Sequence, residues 1–152
     1  MKASLKEFLE KIDFDDPSEY DFDADKTIDK NIKETLKNIN KSSWCWTLFS
    51  CEGHIHSESD KSLPYFVFIV KKKCIPILLD LLFNTLDPML EQVTQFPLCN
   101  TNSFGLSWGF TDDKYAIVNV HWYDSFLDDP DAHKKLLSDF YEMSFKILDA
   151  KL

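Results

Sequence analysis

Residues 65–70 read Tyr-Phe-Val-Phe-Ile-Val and are apolar without interruption. A strand of this composition is buried on both faces, so it predicts an interior strand of a sheet. Another strand is predicted at 44–50, and the polar segment 52–63 connects the two. The segments 103–111 and 115–123 predict a hairpin, because only a short Asp-Asp-Lys turn separates them.

Four segments carry apolar residues at helical spacing and predict helices at 4–12, 25–41, 76–86 and 131–150. Asp131 is the predicted N-cap of the last helix. Two helices precede the strands, and the remaining order is strand, strand, helix, strand, strand, helix. This order predicts an α+β fold: a two-layer sandwich with a mainly antiparallel four-stranded sheet, helices on one face and two N-terminal helices.

The length of the chain sets the number of domains. A chain of 152 residues can hold one domain with a hydrophobic core and is too short for two. Its apolar fraction of 44% and aromatic fraction of 14% are those of a globular protein. We therefore expect a single domain at 1–152, in which a helical and acidic segment at 1–41 precedes a core at 42–152.

The charged residues are unusual because arginine is absent. All seventeen basic residues are lysine, and the formal net charge is −9. Arginine is the usual bidentate partner of phosphate, and nucleic-acid binders carry basic stripes. The densest basic run here is Lys71-Lys72-Lys73. The composition therefore argues against direct binding to nucleic acid and favours a basic protein as partner.

Residues 13–29 form an acidic segment of seven aspartates and one glutamate, with Phe14, Tyr20 and Phe22 interleaved. Such a segment is either a solvated connector or an acidic surface whose aromatic rings anchor a partner. On the second interpretation, a tryptophan and three aspartates in or after the strand predicted at 115–123 belong to the same surface. The predicted partner-binding residues are then Tyr20, Asp21, Phe22, Asp23, Asp25, Trp122, Asp124, Asp128 and Asp129.

The turn after the first predicted strand is rich in groups that bind metals. Cys51, His54 and His56 lie within six residues, and thiolate and imidazole are zinc ligands. A zinc site at these three residues, with a fourth ligand from elsewhere, is therefore one hypothesis. The alternative is structural and needs no cofactor: a small buried cysteine, a glycine that permits the turn, and solvated histidines.

A thiol-dependent enzyme is another hypothesis for the same turn. Cys51 would be the nucleophile, His121 the base and Glu52 an orienting or protonating group. This arrangement requires the first and fourth predicted strands to be neighbours. No glycine-rich phosphate loop or HExxH motif accompanies these residues, so the sequence favours binding over catalysis.

The four tryptophans lie on or next to the predicted strands. Trp44 and Trp46 are two residues apart and are expected on one face of the first strand, while Trp108 and Trp122 belong to the hairpin. They either pack in the core or form an aromatic platform on the sheet face without helices. Such a platform would suit a protein that sequesters a small planar ligand.

The turn Ser50-Cys51-x-Gly53-His54, followed by the strand start Pro64-Tyr65-Phe66, resembles a pattern in small uncharacterised bacterial and phage proteins. The resemblance covers about 25 residues. It implies a related local structure at this turn and no particular activity.

Three observations bear on location. The N-terminal residues lack the apolar core of a signal peptide, and the cysteines form no CxxC pair, as expected of free thiols in a reducing cytosol. The longest apolar stretch, 75–83, is much shorter than the roughly 20 residues that span a bilayer. We therefore expect a cytoplasmic protein without membrane attachment.

Together these features predict a small acidic binding or inhibitor protein that neutralises a basic protein partner. Bacterial toxin immunity proteins and phage anti-defence proteins have this general character, which is an analogy of composition. The alternatives are a metal- or thiol-dependent enzyme and a protein that sequesters a small ligand. Both would use a site at Cys51, His54, His56 and His121.

Overall fold

The computed structural model describes residues 2–14, 16–17, 19–55, 61–62, 64–82, 98–100, 104–122 and 129–150. These residues form four α-helices, seven strands and two 3-10 turns at Lys30–Ile32 and Lys72–Cys74. The helices are α1 Lys2–Lys11, α2 Lys33–Asn40, α3 Ile75–Leu81 and α4 Pro130–Asp149. The strands are β1 Cys45–Cys51, β2 His54–Ile55, β3 Lys61–Ser62, β4 Tyr65–Lys71, β5 Leu98–Asn100, β6 Phe104–Thr111 and β7 Tyr115–Trp122.

The main sheet is antiparallel and has the strand order β1-β4-β7-β6-β5. The α+β class matches the prediction, and β4 is an interior strand as its composition indicated. The predicted four-stranded sheet is wrong, because the described residues add β5 as a fifth strand. This strand has three residues, too few to show an alternating pattern in the sequence. A separate two-stranded ribbon, β2–β3, lies in the segment predicted as a polar connection.

Alternate residues of β4 face two different hydrophobic clusters. Phe66, Phe68 and Val70 belong to the larger cluster, which also contains buried residues of α2, α3 and α4. Ile69 belongs to the smaller cluster on the opposite face. A strand that is apolar on both sides therefore requires cover on both faces of the sheet.

Helix α1 provides the cover for the second face. Leu5, Phe8 and Leu9 are buried there against Trp46 and Tyr115. The predicted two-layer arrangement, with helices on one face, is therefore wrong for the described structure. Helix α1 adds a partial third layer because the second face is also apolar at this end of the sheet.

Two hydrogen bonds fix β1 to α2. The buried side chain of Asn40, at the end of α2, donates to the Thr47 hydroxyl oxygen at 2.7 Å and accepts from the Thr47 backbone N–H at 2.9 Å. Both groups lie in the interior, where an unpaired amide would be costly. This clamp holds the first half of β1 against the end of α2.

Among the described residues, the helices are all too short or too polar to cross a lipid bilayer.

The position of α1 makes a prediction about stability. Phe8→Ala should lower the free energy of unfolding by about 3–5 kcal/mol, because removing a buried ring leaves a cavity. Urea denaturation followed by tryptophan fluorescence measures this change. Phe145→Ala is the matched control: this ring is 41% exposed on α4, and its loss should change stability by about 0.5 kcal/mol or less. Equal effects of the two substitutions would contradict the packing of α1 on the second face.

Candidate functional site

A glycine lies in the turn between β1 and β2. Gly53 has a φ of 91°, which glycine adopts at little cost. His54, the first residue of β2, lies near Cys51, the last residue of β1. The Gly53 backbone N–H also donates to the Cys51 sulfur at 3.4 Å. The turn is therefore held from within by a hydrogen bond to the thiol.

Asp29 ties this turn to the acidic segment. One carboxylate oxygen accepts a hydrogen bond from the Glu52 backbone N–H at 3.0 Å, and the other lies 2.9 Å from Nε2 of His54. Asp29 precedes the 3-10 turn that leads into α2 but forms no side-chain cap with it. Both of its oxygens are thus directed at the turn between β1 and β2.

Asp29, Cys51 and His54 form a cluster that could hold a metal ion. One ligand atom of each residue lies within 4.8 Å of those of the other two. Two members of the predicted metal set, Cys51 and His54, are therefore together. His56, the third predicted ligand, lies outside the described residues. Asp29 was missed because it is distant in the sequence and lies within a run of other aspartates.

Burial raises the pKa of the Cys51 thiol, and the neighbouring Asp29 carboxylate raises it further. The hydrogen bond from the Gly53 N–H opposes these effects in part. A raised pKa keeps the sulfur protonated at neutral pH, whereas a nucleophilic cysteine requires a lowered one. The environment of Cys51 therefore argues against the thiol-dependent enzyme.

The predicted approach of His121 to Cys51 is wrong. It required β1 and β7 to be neighbours, but β4 lies between them. Tyr65 of β4 pairs with Cys51 on one side and with His121 on the other. Two strand spacings of about 4.8 Å put the backbones of Cys51 and His121 roughly 10 Å apart.

Glu52 acts through its backbone at this turn. Its N–H binds Asp29, and its carbonyl oxygen accepts a hydrogen bond from the ring of His133 on α4. His133 was missed because a single histidine in an amphipathic helix gives no sign of a distant partner. In the described contacts, the backbone of Glu52 stabilises the turn by binding Asp29 and His133.

A pocket of about 370 Å³ opens between the acidic segment and the elements α2 and β1. Four aromatic rings line it: Phe14, Tyr20, Phe22 and Phe49. Phe14 and Phe49 meet edge to face with centroids 5.1 Å apart, and Tyr20 and Phe22 do so at 5.0 Å. Tyr20 is 45% exposed and Phe49 is 50% exposed, so part of this aromatic lining is accessible from solvent.

Three carboxylates, from Asp16, Asp25 and Asp29, also line the pocket. Hydrogen bonds from Thr27 and then from the Tyr20 hydroxyl lower the pKa of Asp25. The same contact with Asp25 raises the pKa of Tyr20. At neutral pH the tyrosine is therefore a neutral donor beside an ionised carboxylate, and we name this anionic, aromatic cavity the acidic pocket.

Other aspartates of the predicted partner surface have local structural contacts. Asp21 accepts hydrogen bonds from the backbone N–H groups of Asp23 and Ala24 at 3.1 and 3.2 Å. Asp23 forms an ion pair with Lys37 of α2 at 3.0 Å. The Asp21 hydrogen bonds order the acidic segment locally, and the Asp23–Lys37 ion pair attaches it to α2.

The partner-binding residues predicted in and after β7 do not form the predicted surface among the described residues. Trp122 is completely buried in the larger cluster, so its predicted role as an exposed anchor is wrong. Asp129 is the N-cap of α4 in place of the predicted Asp131, and accepts from the Asp131 and Ala132 N–H groups at 3.1 and 3.2 Å. Asp124 and Asp128 lie outside the described residues.

The predicted tryptophan platform is also wrong for the first strand. Trp44 and Trp46 are fully buried, and they belong to different clusters on opposite faces of the sheet. The Trp44 indole N–H donates to the Ile147 carbonyl at 2.9 Å, which joins the start of β1 to α4. Both indole rings therefore pack in the hydrophobic interior.

Comparisons of the chain with protein-family models, curated proteins and solved structures gave no match. The resemblance of the Ser50–His54 turn to small bacterial and phage proteins therefore stays a prediction.

The environment of Cys51 predicts a slowly reacting thiol. In a Cys99→Ser background, iodoacetamide should modify Cys51 more slowly than it modifies the free thiol N-acetylcysteine at neutral pH. The reason is that the raised pKa of Cys51 keeps its sulfur protonated. Asp29→Asn should shift the pH dependence of alkylation to lower pH, since it removes a nearby negative charge. Mass spectrometry of the modified protein gives both rates.

Glu34→Gln, which removes an exposed carboxylate of α2, is the control and should leave the alkylation profile of Cys51 unchanged. A thiol that reacts faster than N-acetylcysteine would instead support the nucleophile hypothesis.

Proposed function

We propose that this protein is a small acidic binding protein that captures a basic partner protein, and that the acidic pocket receives a lysine or arginine side chain of that partner. The observation that carries this proposal is the joint lining of one cavity by four aromatic rings and three carboxylates.

Cations bind favourably over the faces of aromatic rings, and the gain is about 2 kcal/mol where the cation is desolvated. A carboxylate at the wall compensates for the hydration that the cation loses. The acidic pocket offers both kinds of contact. An anionic ligand would meet three like charges there, so the electrostatics favour a positively charged occupant.

The rest of the molecule favours approach of a basic partner. The net charge of −9 attracts cationic proteins over a distance and accelerates their encounter with the chain. Lys37 and Asp23 form an ion pair, whereas Glu19 and Asp21 are exposed on either side of Tyr20 in the sequence. An inhibitor that covers a basic active or binding surface, as an immunity or anti-defence protein does, would use this combination of steering and anchoring.

A cytoplasmic location is part of the same proposal. Cys45, Cys51 and Cys74 are free thiols, and a reducing compartment preserves them.

Binding of a labelled octalysine peptide, followed by fluorescence anisotropy, tests the pocket. Phe49→Ala should weaken binding about fivefold or more, because it removes one ring from the cation site. Asp16→Asn should weaken it by a similar factor, because it removes a charge from the pocket wall.

Two matched variants separate the pocket from general attraction to an acidic surface. Phe145→Ala removes an exposed ring on α4, and Asp113→Asn removes an exposed charge in the turn between β6 and β7. Both should leave the peptide affinity within about twofold of wild type. If Asp113→Asn and Asp16→Asn have equal effects, the pocket is not the binding site. Binding of free lysine or spermidine as tightly as the peptide would favour a small cation as the ligand.

The Asp29–Cys51–His54 cluster supports zinc binding as a second candidate function. Thiolate, imidazole and carboxylate are zinc ligands, and three protein ligands leave a fourth position for water. The thiolate excludes the oxygen-preferring ions calcium and magnesium as good fits. Hydrogen bonds from Gly53 to the sulfur and from Glu52 to the carboxylate orient the ligands, as outer-shell contacts do in metal sites.

Zinc binding is tested by competition with a chromophoric chelator. The wild-type chain should bind one zinc ion, and Cys51→Ala or His54→Ala should lower the affinity at least tenfold, because each removes a ligand. His121→Ala is the matched control, since this histidine lies two strands away from Cys51 in the sheet. Equal loss in His121→Ala and His54→Ala, or no binding by wild type, would contradict a site at this cluster.

A further inference from the structure

We infer that zinc and a basic ligand bind antagonistically to this protein, because both use the carboxylate of Asp29. The inference rests on the proposed function, both for the cation in the acidic pocket and for zinc at the adjacent cluster. It adds a regulatory relation: metal occupancy would release the basic partner.

The two sites share one wall. Asp29 is a lining residue of the acidic pocket and also a member of the metal cluster. The sharing extends along both chain segments that meet there. Thr27 and Ile28, which precede Asp29, line the pocket, as do Phe49 and Ser50, which precede Cys51. The metal cluster is therefore at the edge of the acidic pocket.

Charge accounting gives the sign of the coupling. The cluster lies at the edge of the acidic pocket, whose other carboxylates come from Asp16 and Asp25. A zinc ion brings two positive charges to this edge, and a proton that the thiol releases to solvent on binding removes at most one. Zinc binding therefore makes the pocket wall more positive by at least one unit charge.

The geometry of Asp29 strengthens this antagonism. Its carboxylate is already bound by the Glu52 N–H and His54, so it cannot rotate freely to serve both a cation in the pocket and a metal. One additional positive charge at about 4 Å corresponds to a factor of about five in affinity for a cation, even with the screening of water. Linkage requires the effect to be reciprocal: the basic ligand must weaken zinc binding by the same factor.

The experiment measures octalysine affinity by anisotropy with and without saturating zinc, at constant ionic strength. The expected result for wild type is an affinity about fivefold lower with zinc. Magnesium at the same concentration controls for screening and should lower the affinity by less than twofold. In Cys51→Ala the ratio of affinities with and without zinc should return to one, provided that the zinc concentration fills the wild-type site but lies well below the dissociation constant of the variant for zinc.

The outcomes separate this inference from the proposals beneath it. If zinc and the peptide both bind strongly but neither changes the affinity of the other, the antagonism is overturned, while both proposed sites remain supported. A peptide that fails to bind even without zinc would overturn the acidic pocket itself. A zinc effect that persists in Cys51→Ala would show that the metal acts elsewhere on the acidic surface, and would also overturn the inference.

Discussion

The carboxylate of Asp29 joins the acidic segment to the turn between β1 and β2, which lies more than 20 residues further along the chain. It ends the acidic segment, precedes the turn into α2, and binds both Glu52 and His54 in the turn after β1. The Asn40–Thr47 clamp fixes β1 against α2 from the other side. Together these attachments fix the end of the acidic segment and α2 against β1, and residues of all three line the acidic pocket.

The same arrangement explains why this pocket is anionic and aromatic together. The acidic segment supplies all three carboxylates along with Phe14, Tyr20 and Phe22, while β1 supplies Phe49. Hydrogen bonds within the segment, such as that between Tyr20 and Asp25, satisfy its polar groups without removing their charge. The proposed binding chemistry therefore resides in a segment that carries little regular structure, positioned by a rigid sheet and helix.

The sequence could predict elements whose pattern is local. The strand at 65–70 and the final helix follow from composition and period, and Tyr20, Phe22 and Asp25 were predicted as partner-binding residues and line the acidic pocket. It could not predict what depends on distant contacts. The second-face cover by α1, the burial of Trp122 and the pairing of Asp29 with His54 arise from tertiary packing, and β5 is too short to carry a period.

An NMR titration of the labelled protein with unlabelled octalysine tests the central claim most directly, because it locates the cation without any substitution. The account predicts that backbone amide shifts concentrate at residues 14–29 and 47–50, with small changes at the exposed acidic residues of α4. Shifts spread evenly over the acidic surface, or centred away from the pocket, would contradict it.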